Sequence, residues 1–441
     1  MTRVPKSMAL YERALQLIPG GTQLISRRPN RVAYGVSPIY AVEAKGARFR
    51  DVDGNEYIDW ISGIGAILLG YADPVVDDAV KEQISKGTMY SVNHELEIEL
   101  AEELCDCIPC AEMVRYAKSG GEACAMAVRI ARGATGRDLI LFCGYHGWHD
   151  WYLAANLAKE ASLNSHLFPG IEPIGVPKAL AGTALPFPGG DLMALAEMLE
   201  QHKGQVAAIM MEPLRSEVPA PDYLSGVQQL AKEHGAVLIF DEVSAGLRFG
   251  MGGAQGFLGV TPDLAVFAKS ISNGYPMAAV VGLRDIMEPA ARMFISSTYW
   301  SDTIGLRAAL TTLKEARRRN VSSQLWKFGA ELKSSLNAAA ATCGLSAECT
   351  GIDVHPAMHF RVPDEMRSEV TTLYIQEMAK RGCHGYASFY LNAAQGSSEL
   401  EQTTRAAKET FTIIAESIAA NNVASKLECS LQKDAFRRLV R

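Results

Sequence analysis

The chain has 441 residues, 48% of them hydrophobic and 21% charged, which suits a soluble globular enzyme with room for two or three domains. A net charge of −6 with no basic block excludes a nucleic-acid surface. The longest apolar stretch, ISGIGAILLGYA at 61–72, is too short and too glycine-rich to span a bilayer. Residues 1–21 mix acid and base without an apolar core and cleavage site, so a cytoplasmic protein is expected.

In chain order, VEAKGARFRDVDGNEYIDW predicts a hairpin with Asp53-Gly54-Asn55 at its turn. The helix ELEIELAEEL follows and runs into Cys105, Cys107 and Cys110. These three lack a second ligand pair at zinc spacing, and an odd total of nine cysteines fits free thiols acting as small buried hydrophobes. From about residue 75 to 310, apolar runs alternate with helical periods. MVRYA, LILFC, VAAIMM, AVLIF, LAVFA and AAVVGL are the predicted strands, and EACAMAVRIARGATG and LMALAEMLEQHKG the amphipathic helices. The pattern implies an α/β fold with a mostly parallel, helix-covered sheet. After about residue 311, by helical periodicity, a helix-rich stretch suggests a small domain, with KLECSLQKDAFRRLVR as a weakly amphipathic closing helix.

Chemistry concentrates where predicted strands end. AVLIFDEVSAGLRFG sets Asp241 and Glu242 behind a buried strand, at the edge where open α/β sheets bind ligands. A lone aspartate there reads as a solvated loop or a helix cap. In PDLAVFAKSISNGYP, Lys269 closes another buried strand. Desolvation favours its neutral, nucleophilic amine, against the alternative of a snorkelling surface lysine. An aldehyde cofactor held as an imine needs such an amine, together with an anion that keeps a pyridine nitrogen protonated. Asp241 and Lys269 supply that pair. Ser119-Gly120-Gly121, at a strand-to-helix turn, offers backbone amides and a hydroxyl to a phosphate. That signal is weak alone, and Glu122 reads as a first-turn acid favourable to the helix dipole. In FCGYHGWHDWY, Tyr145 is placed to stack on a ring; His146 invites a general-base role, but a histidine in an aromatic loop is more often structural, and it is left unassigned.

With these motifs in place, DVDGNEYIDW, SGGEA, YHG, MEP, FDEVSAGLRFG and PDLAVFAKSISNGYP in that order, the chain resembles a class III aminotransferase of the pyridoxal-phosphate fold-type I superfamily. The similarity is to the branch that holds glutamate-1-semialdehyde 2,1-aminomutase. The resemblance implies a large cofactor domain over 71–310 and a smaller α+β domain built from both chain ends, 1–70 and 311–441. It implies pyridoxal 5'-phosphate joined to Lys269, with Asp241 on the ring nitrogen and Val243 on the ring face opposite Tyr145. Ser119, Gly120 and Gly121 would hold the phosphate, and Glu212 would position the cofactor region. Thr298, by the same likeness, reaches the partner subunit's phosphate in a homodimer. Arg27, seven residues after Gly20, would bind a carboxylate of the substrate or of a glutamate donor; equally, it is a loop arginine in a basic run with Arg28 and Arg31.

The chain also departs from that branch. Ile64 stands where the aminomutases have tryptophan, Arg215 and Glu217 follow MEP, Tyr299 and Trp300 enlarge the loop at Thr298, and SISNGYP replaces a glycine run after the lysine. These changes surround the substrate and leave the cofactor motifs intact. The YHGWHDW and TYWSD segments look similar to proteins of sugar and surface-polysaccharide pathways, including one that aminates an oxidised 3-deoxy-octulosonate. The expectation is a transaminase using glutamate, with an intramolecular aminomutase as the alternative and a non-catalytic cofactor-binding protein as a third reading. Glu242 is expected to hold nearby backbone or Arg248, and the segment from Asn156 to Thr183 to act as a lid.

Overall fold

The structure is a computed structural model that describes residues 3–159, 161–214 and 217–436. The chain divides into two compact units, one of Pro74–Ser322 and one of Met1–Asp73 with Ser323–Arg441. Arg215 lies outside the described residues. Strands are numbered through both units: β1 (Ala41–Lys45), β2 (Arg48–Asp51), β3 (Glu56–Asp59), β4 (Met113–Ala117), β5 (Leu139–Cys143), β6 (Ala184–Pro186), β7 (Val206–Met211), β8 (Val237–Asp241), β9 (Leu264–Phe267), β10 (Ala278–Gly282), β11 (Ala347–Thr350), β12 (Ala357–Phe360) and β13 (Cys383–His384).

In Pro74–Ser322 a seven-stranded sheet runs β4-β10-β9-β8-β7-β5-β6. All pairs from β9 through β6 are parallel. β10 is antiparallel to both of its neighbours, so β4 points the same way as β9. Every residue of β7, β8, β9 and β10 is buried, which is why these strands are unbroken apolar runs: both faces of the sheet are covered. On one face the helix Gly120–Thr135 buries Ala123, Cys124, Ala127, Ile130 and Ala131 against Phe142, Met210, Ile239 and Val266. Each large side chain so buried contributes about 1.5–3 kcal/mol. Gly136, with φ 67°, stops this helix because a left-handed residue ends the hydrogen-bond ladder.

All six predicted strands of this sheet are present. β6 was not predicted; it is three residues long and ends in proline, too short for a pattern. As a result of strand direction, the carboxyl ends of β4, β5, β7, β8 and β9 line one sheet edge.

The unit of both chain ends holds a sheet β1-β2-β3-β13. The β2–β3 turn lies at Asp53-Gly54-Asn55: Asp51 Oδ1 accepts from Asp53 N (3.0 Å) and Asn55 N (2.7 Å), and Gly54 has φ 93°, a conformation glycine adopts without penalty. Here too are the helices Asp364–Lys380 and Ser397–Ala419. The closing helix expected over 426–441 is not formed through 434, where a 3-10 turn, Val423–Lys426, is followed by irregular chain; the last five residues of that expectation, 437–441, lie outside the described residues. Its polar groups bond elsewhere, Gln432 N to Thr372 Oγ1 (3.0 Å) and Glu428 N to Gln376 Oε1 (2.6 Å), in place of its own ladder. Cys110 is buried, whereas Cys105 and Cys107 are only partly so. No helix among the described residues is long and apolar enough to cross a membrane.

Glu242, the first residue past β8, is fully buried and accepts hydrogen bonds from Ala254 N, Gln255 N (3.2 Å) and Gln255 Nε2 (3.0 Å). It thereby fixes the backbone at 254–255. Burial pushes its pKa up to about 7 against the pull of these donors. A carboxyl whose folded pKa exceeds its ordinary 4.5 takes up a proton on folding, so its share of stability is full below that value and falls as pH rises towards 7. Melting temperature followed against pH should decline across this window in the wild type, and Glu242→Gln should remove that part of the decline.

Candidate active site

The edge begins at β4. Past Ala117, Ser119 caps the helix Gly120–Thr135 with extended backbone (φ −138°, ψ 155°), its side chain accepting from Glu122 N at 3.4 Å. The first amides of this sixteen-residue helix are therefore free of intrahelical partners and aligned with its dipole, a site for a phosphate. The glycines are sterically required. A Cβ on Gly120 would lie 2.8 Å from Val243 Cγ1, and one on Gly147, which has φ 97°, would lie 2.7 Å from Gly121 Cα. Glu122 does more than complement the dipole: it accepts from Lys118 N (2.8 Å) and from Trp300 Nε1 (2.9 Å).

At the end of β8, Asp241 is buried. Its Oδ2 accepts from His146 Nδ1 at 2.8 Å and its Oδ1 from Val243 N at 3.0 Å. Cys124 Sγ lies 3.5 Å from the same carboxylate; burial first, then the nearby Asp241, raises this thiol well above its ordinary pKa and keeps it protonated. His146 is itself fully buried, its Nε2 3.2 Å from the Cys143 carbonyl and its ring parallel to Trp151. A buried anion held by imidazole, amide and thiol donors at a strand end suits the protonated nitrogen of a heteroaromatic ring.

Past β9, Lys269 has φ 52°, a left-handed conformation that a non-glycine residue adopts only under constraint and that clusters at functional sites. Its Nζ donates to Ser244 Oγ at 2.8 Å. Tyr145 stands at the end of β5, partly exposed, with its backbone N donating to Glu212 Oε2 at 3.2 Å. Glu212, at the end of β7, also packs so closely on Gly144 (φ 116°) that a Cβ there would meet Oε2 at 2.7 Å. The carboxylate therefore sets the course of the chain that carries Tyr145.

Ser119, Gly120, Gly121, Tyr145, Glu212, Asp241, Val243 and Lys269 thus share one edge of one sheet. Thr298 lies in an exposed turn of the same unit. Arg27 belongs to the other unit, where it lines a cavity of about 470 Å³ with Arg28, Ile64, Tyr71 and Tyr386. Ile64 sits there in a run of four positive φ values, Ser62 to Gly65 at 48°, 60°, 61° and 73°, a left-handed turn costly for residues that carry a Cβ. Sequence reasoning missed Ser244 and the contact of His146 with Asp241. Their signal was position: each lies within four residues of a predicted strand end on this edge.

A phosphate-ready helix start, a buried anion and a constrained lysine fit a phosphorylated pyridine aldehyde. Residues 31–348 match the model of the family Aminotransferase class-III. The chain is 35% identical over 406 residues to 3-aminobutyryl-CoA aminotransferase of Cloacimonas acidaminovorans (strain Evry), covering 88% of this chain and 93% of that one. It is 34% identical over 437 residues to glutamate-1-semialdehyde 2,1-aminomutase of Syntrophobacter fumaroxidans (strain DSM 10017 / MPOB), covering 94% and 99%. Among solved structures, the PLP internal aldimine form of the FumI protein of Sphingopyxis sp. MTA144 superposes with a TM-score of 0.85 at 25% identity over 97% of this chain and 99% of that one. An omega-transaminase from Sphaerobacter thermophilus gives 0.81 at 27% identity, over 94% and 100%. On its motifs, its fold and these likenesses, the chain belongs to the class III aminotransferases, pyridoxal 5'-phosphate enzymes of fold type I.

Proposed function

We propose that the enzyme is a transaminase that takes an amino group from glutamate and delivers it to the aldehyde or ketone of a carboxylate-bearing acceptor. Sugar acids such as an oxidised 3-deoxy-octulosonate are the first class to test. The observation that carries the reading is Lys269: an amine on a constrained residue, held by Ser244 Oγ at 2.8 Å, at the edge that also carries Asp241. Pyridoxal 5'-phosphate, when bound, supplies an aldehyde that takes up the amino group and a ring that accepts electrons.

The chain's own residues do the rest. Lys269 Nζ holds the cofactor and, once released, moves a proton at the amine-bearing carbon of the substrate. Asp241 holds the ring nitrogen's proton, and His146, donating to Oδ2, keeps that carboxylate oriented. Ser119 Oγ and the amides of Gly120 and Gly121 would hold the phosphate, Val243 and Tyr145 would pack against the ring, and Glu212 positions the Tyr145 chain. Arg27 receives a carboxylate. Thr298 reaches the partner subunit's phosphate in a cytoplasmic homodimer, a role its exposed turn leaves open to a second chain.

The rival reading is an intramolecular aminomutase, favoured by the curated relatives of that name at 34% to 39% identity. Transfer is supported by the bulk of Tyr299 and Trp300, Trp300 being tied to Glu122 in the first turn of the phosphate-side helix, and by Ile64 in place of a tryptophan.

An absorbance spectrum of the holoenzyme, taken before and after adding glutamate alone, tests the donor. The long-wavelength band should give way to a shorter-wavelength one while oxoglutarate accumulates; an unchanged band moves the aminomutase or another amine donor ahead. Lys269→Ala should lower turnover by about a thousandfold or more, measured as product formed per enzyme under saturating substrate. His146→Ala, which removes the imidazole donor from Asp241 and leaves it the Cys124 thiol, should lower kcat while the variant still retains cofactor absorbance.

A further inference from the structure

Three arginines fall within five residues, Arg27, Arg28 and Arg31, the first two lining the cavity. Close cations repel, and a guanidinium taken from water without partners is costly, so something must compensate them. The segment 428–436 does so for two. Arg31 Nη1 donates to the Lys433 carbonyl (2.9 Å) and to Asp434 Oδ1 (2.5 Å). Arg28 is buried with Nε and Nη1 lacking hydrogen-bond partners, and the ring of Phe436 lies 5.9 Å from its Cζ, a cation–π contact. The guanidinium is also packed against Gly20, where a Cβ would meet Nη2 at 2.6 Å.

The backbone is clasped as well. Lys433 N donates to the Asn30 carbonyl (3.0 Å) and Gln432 Nε2 to the Arg31 carbonyl (2.9 Å). Gln432 N and Glu428 N anchor the same segment to Thr372 and Gln376. From the far side, Tyr386 hydroxyl donates to the Ser26 carbonyl at 2.5 Å, beside Arg27.

Arg27 is left over. Among the described residues its guanidinium has no hydrogen bond or ion pair, and the acidic side chain in the cavity lining, Asp59, is spent on Ile61 N (2.8 Å), Gly63 N (3.4 Å) and the Tyr71 hydroxyl (2.5 Å). We propose that residues 428–436 are the positioning element of this cationic wall: they hold Arg28 and Arg31 by compensating their charge, so that Arg27 alone offers its guanidinium to an organic carboxylate in the cavity. The inference rests on the carboxylate-binding role given to Arg27 above. Gln432, Asp434 and Phe436 act through the arginines and touch no substrate. Preorganised in this way, the guanidinium meets its anion without first being ordered.

The test is calorimetric titration of the holoenzyme with glutarate, a dicarboxylate with no amino group to react. Wild type should bind it and Arg27→Met should not. The double variant Gln432→Ala/Asp434→Ala should bind it roughly fivefold more weakly, the effect of losing about 1 kcal/mol of support, with cofactor absorbance unchanged; Asp434→Glu should keep the wild-type affinity. Phe436→Leu, which keeps apolar bulk and removes the ring face, should weaken binding independently should the double variant fold poorly. Wild-type affinity in both the double variant and Phe436→Leu, binding that survives Arg27→Met, or a wild type that binds no glutarate overturns the proposal. The glutamate-induced spectral change needs no such titration, so the transaminase reading and this one fail separately.

Discussion

The active edge depends on one buried carboxylate. Asp241 ends a strand whose five residues are all buried, and an anion there is tolerable because donors surround it, the Cys124 thiol and, at shorter range, His146 and Val243 N. Those two contacts tie three loops together. His146 brings the chain after β5, Val243 brings the turn after β8 and, through its side chain, the glycine at the start of the helix Gly120–Thr135. Around this carboxylate the sheet edge becomes a site whose walls cannot move independently.

A second layer supports the first. Glu242, one residue on, turns its carboxylate the other way and pins 254–255, while Glu212 sets the course of the Tyr145 chain. Adjacent acids at one strand end thus face opposite sides, as alternation along a strand requires, and do different work. Trp300 extends the support outward to Glu122.

Much of this was legible in the sequence, for a physical reason. Doubly covered parallel strands are unbroken apolar runs, so their ends, and with them Asp241 and Lys269, could be marked from residue type alone. What escaped depends on register between distant segments. The contact of His146 with Asp241 spans 95 positions and that of Trp300 with Glu122 spans 178, and no local pattern encodes either. β13 is two residues long, paired to β3, and exists only because β3 is there to receive it. The closing segment carried a weak helical period, yet over 428–433 hydrogen bonds to Asn30, Arg31, Thr372 and Gln376 won over a ladder of its own. The left-handed turn at Ile64 was marked only as a departure from a tryptophan; its backbone is a property that two flanking glycines hint at without specifying.

The mutual approach of Gly121 and Gly147 bears on how such an enzyme changes its chemistry over time. Gly147 has φ 97° and a Cβ on it would lie 2.7 Å from Gly121 Cα, whereas a Cβ on Gly121 would meet Gly147 Cα at 3.4 Å, an ordinary contact, so the joint is closed to a side chain from the Gly147 side. Residues without that constraint, such as exposed Tyr299, remain open to drift. A side chain at position 147 would push on the start of the helix Gly120–Thr135, so change at this joint is channelled away from Gly147.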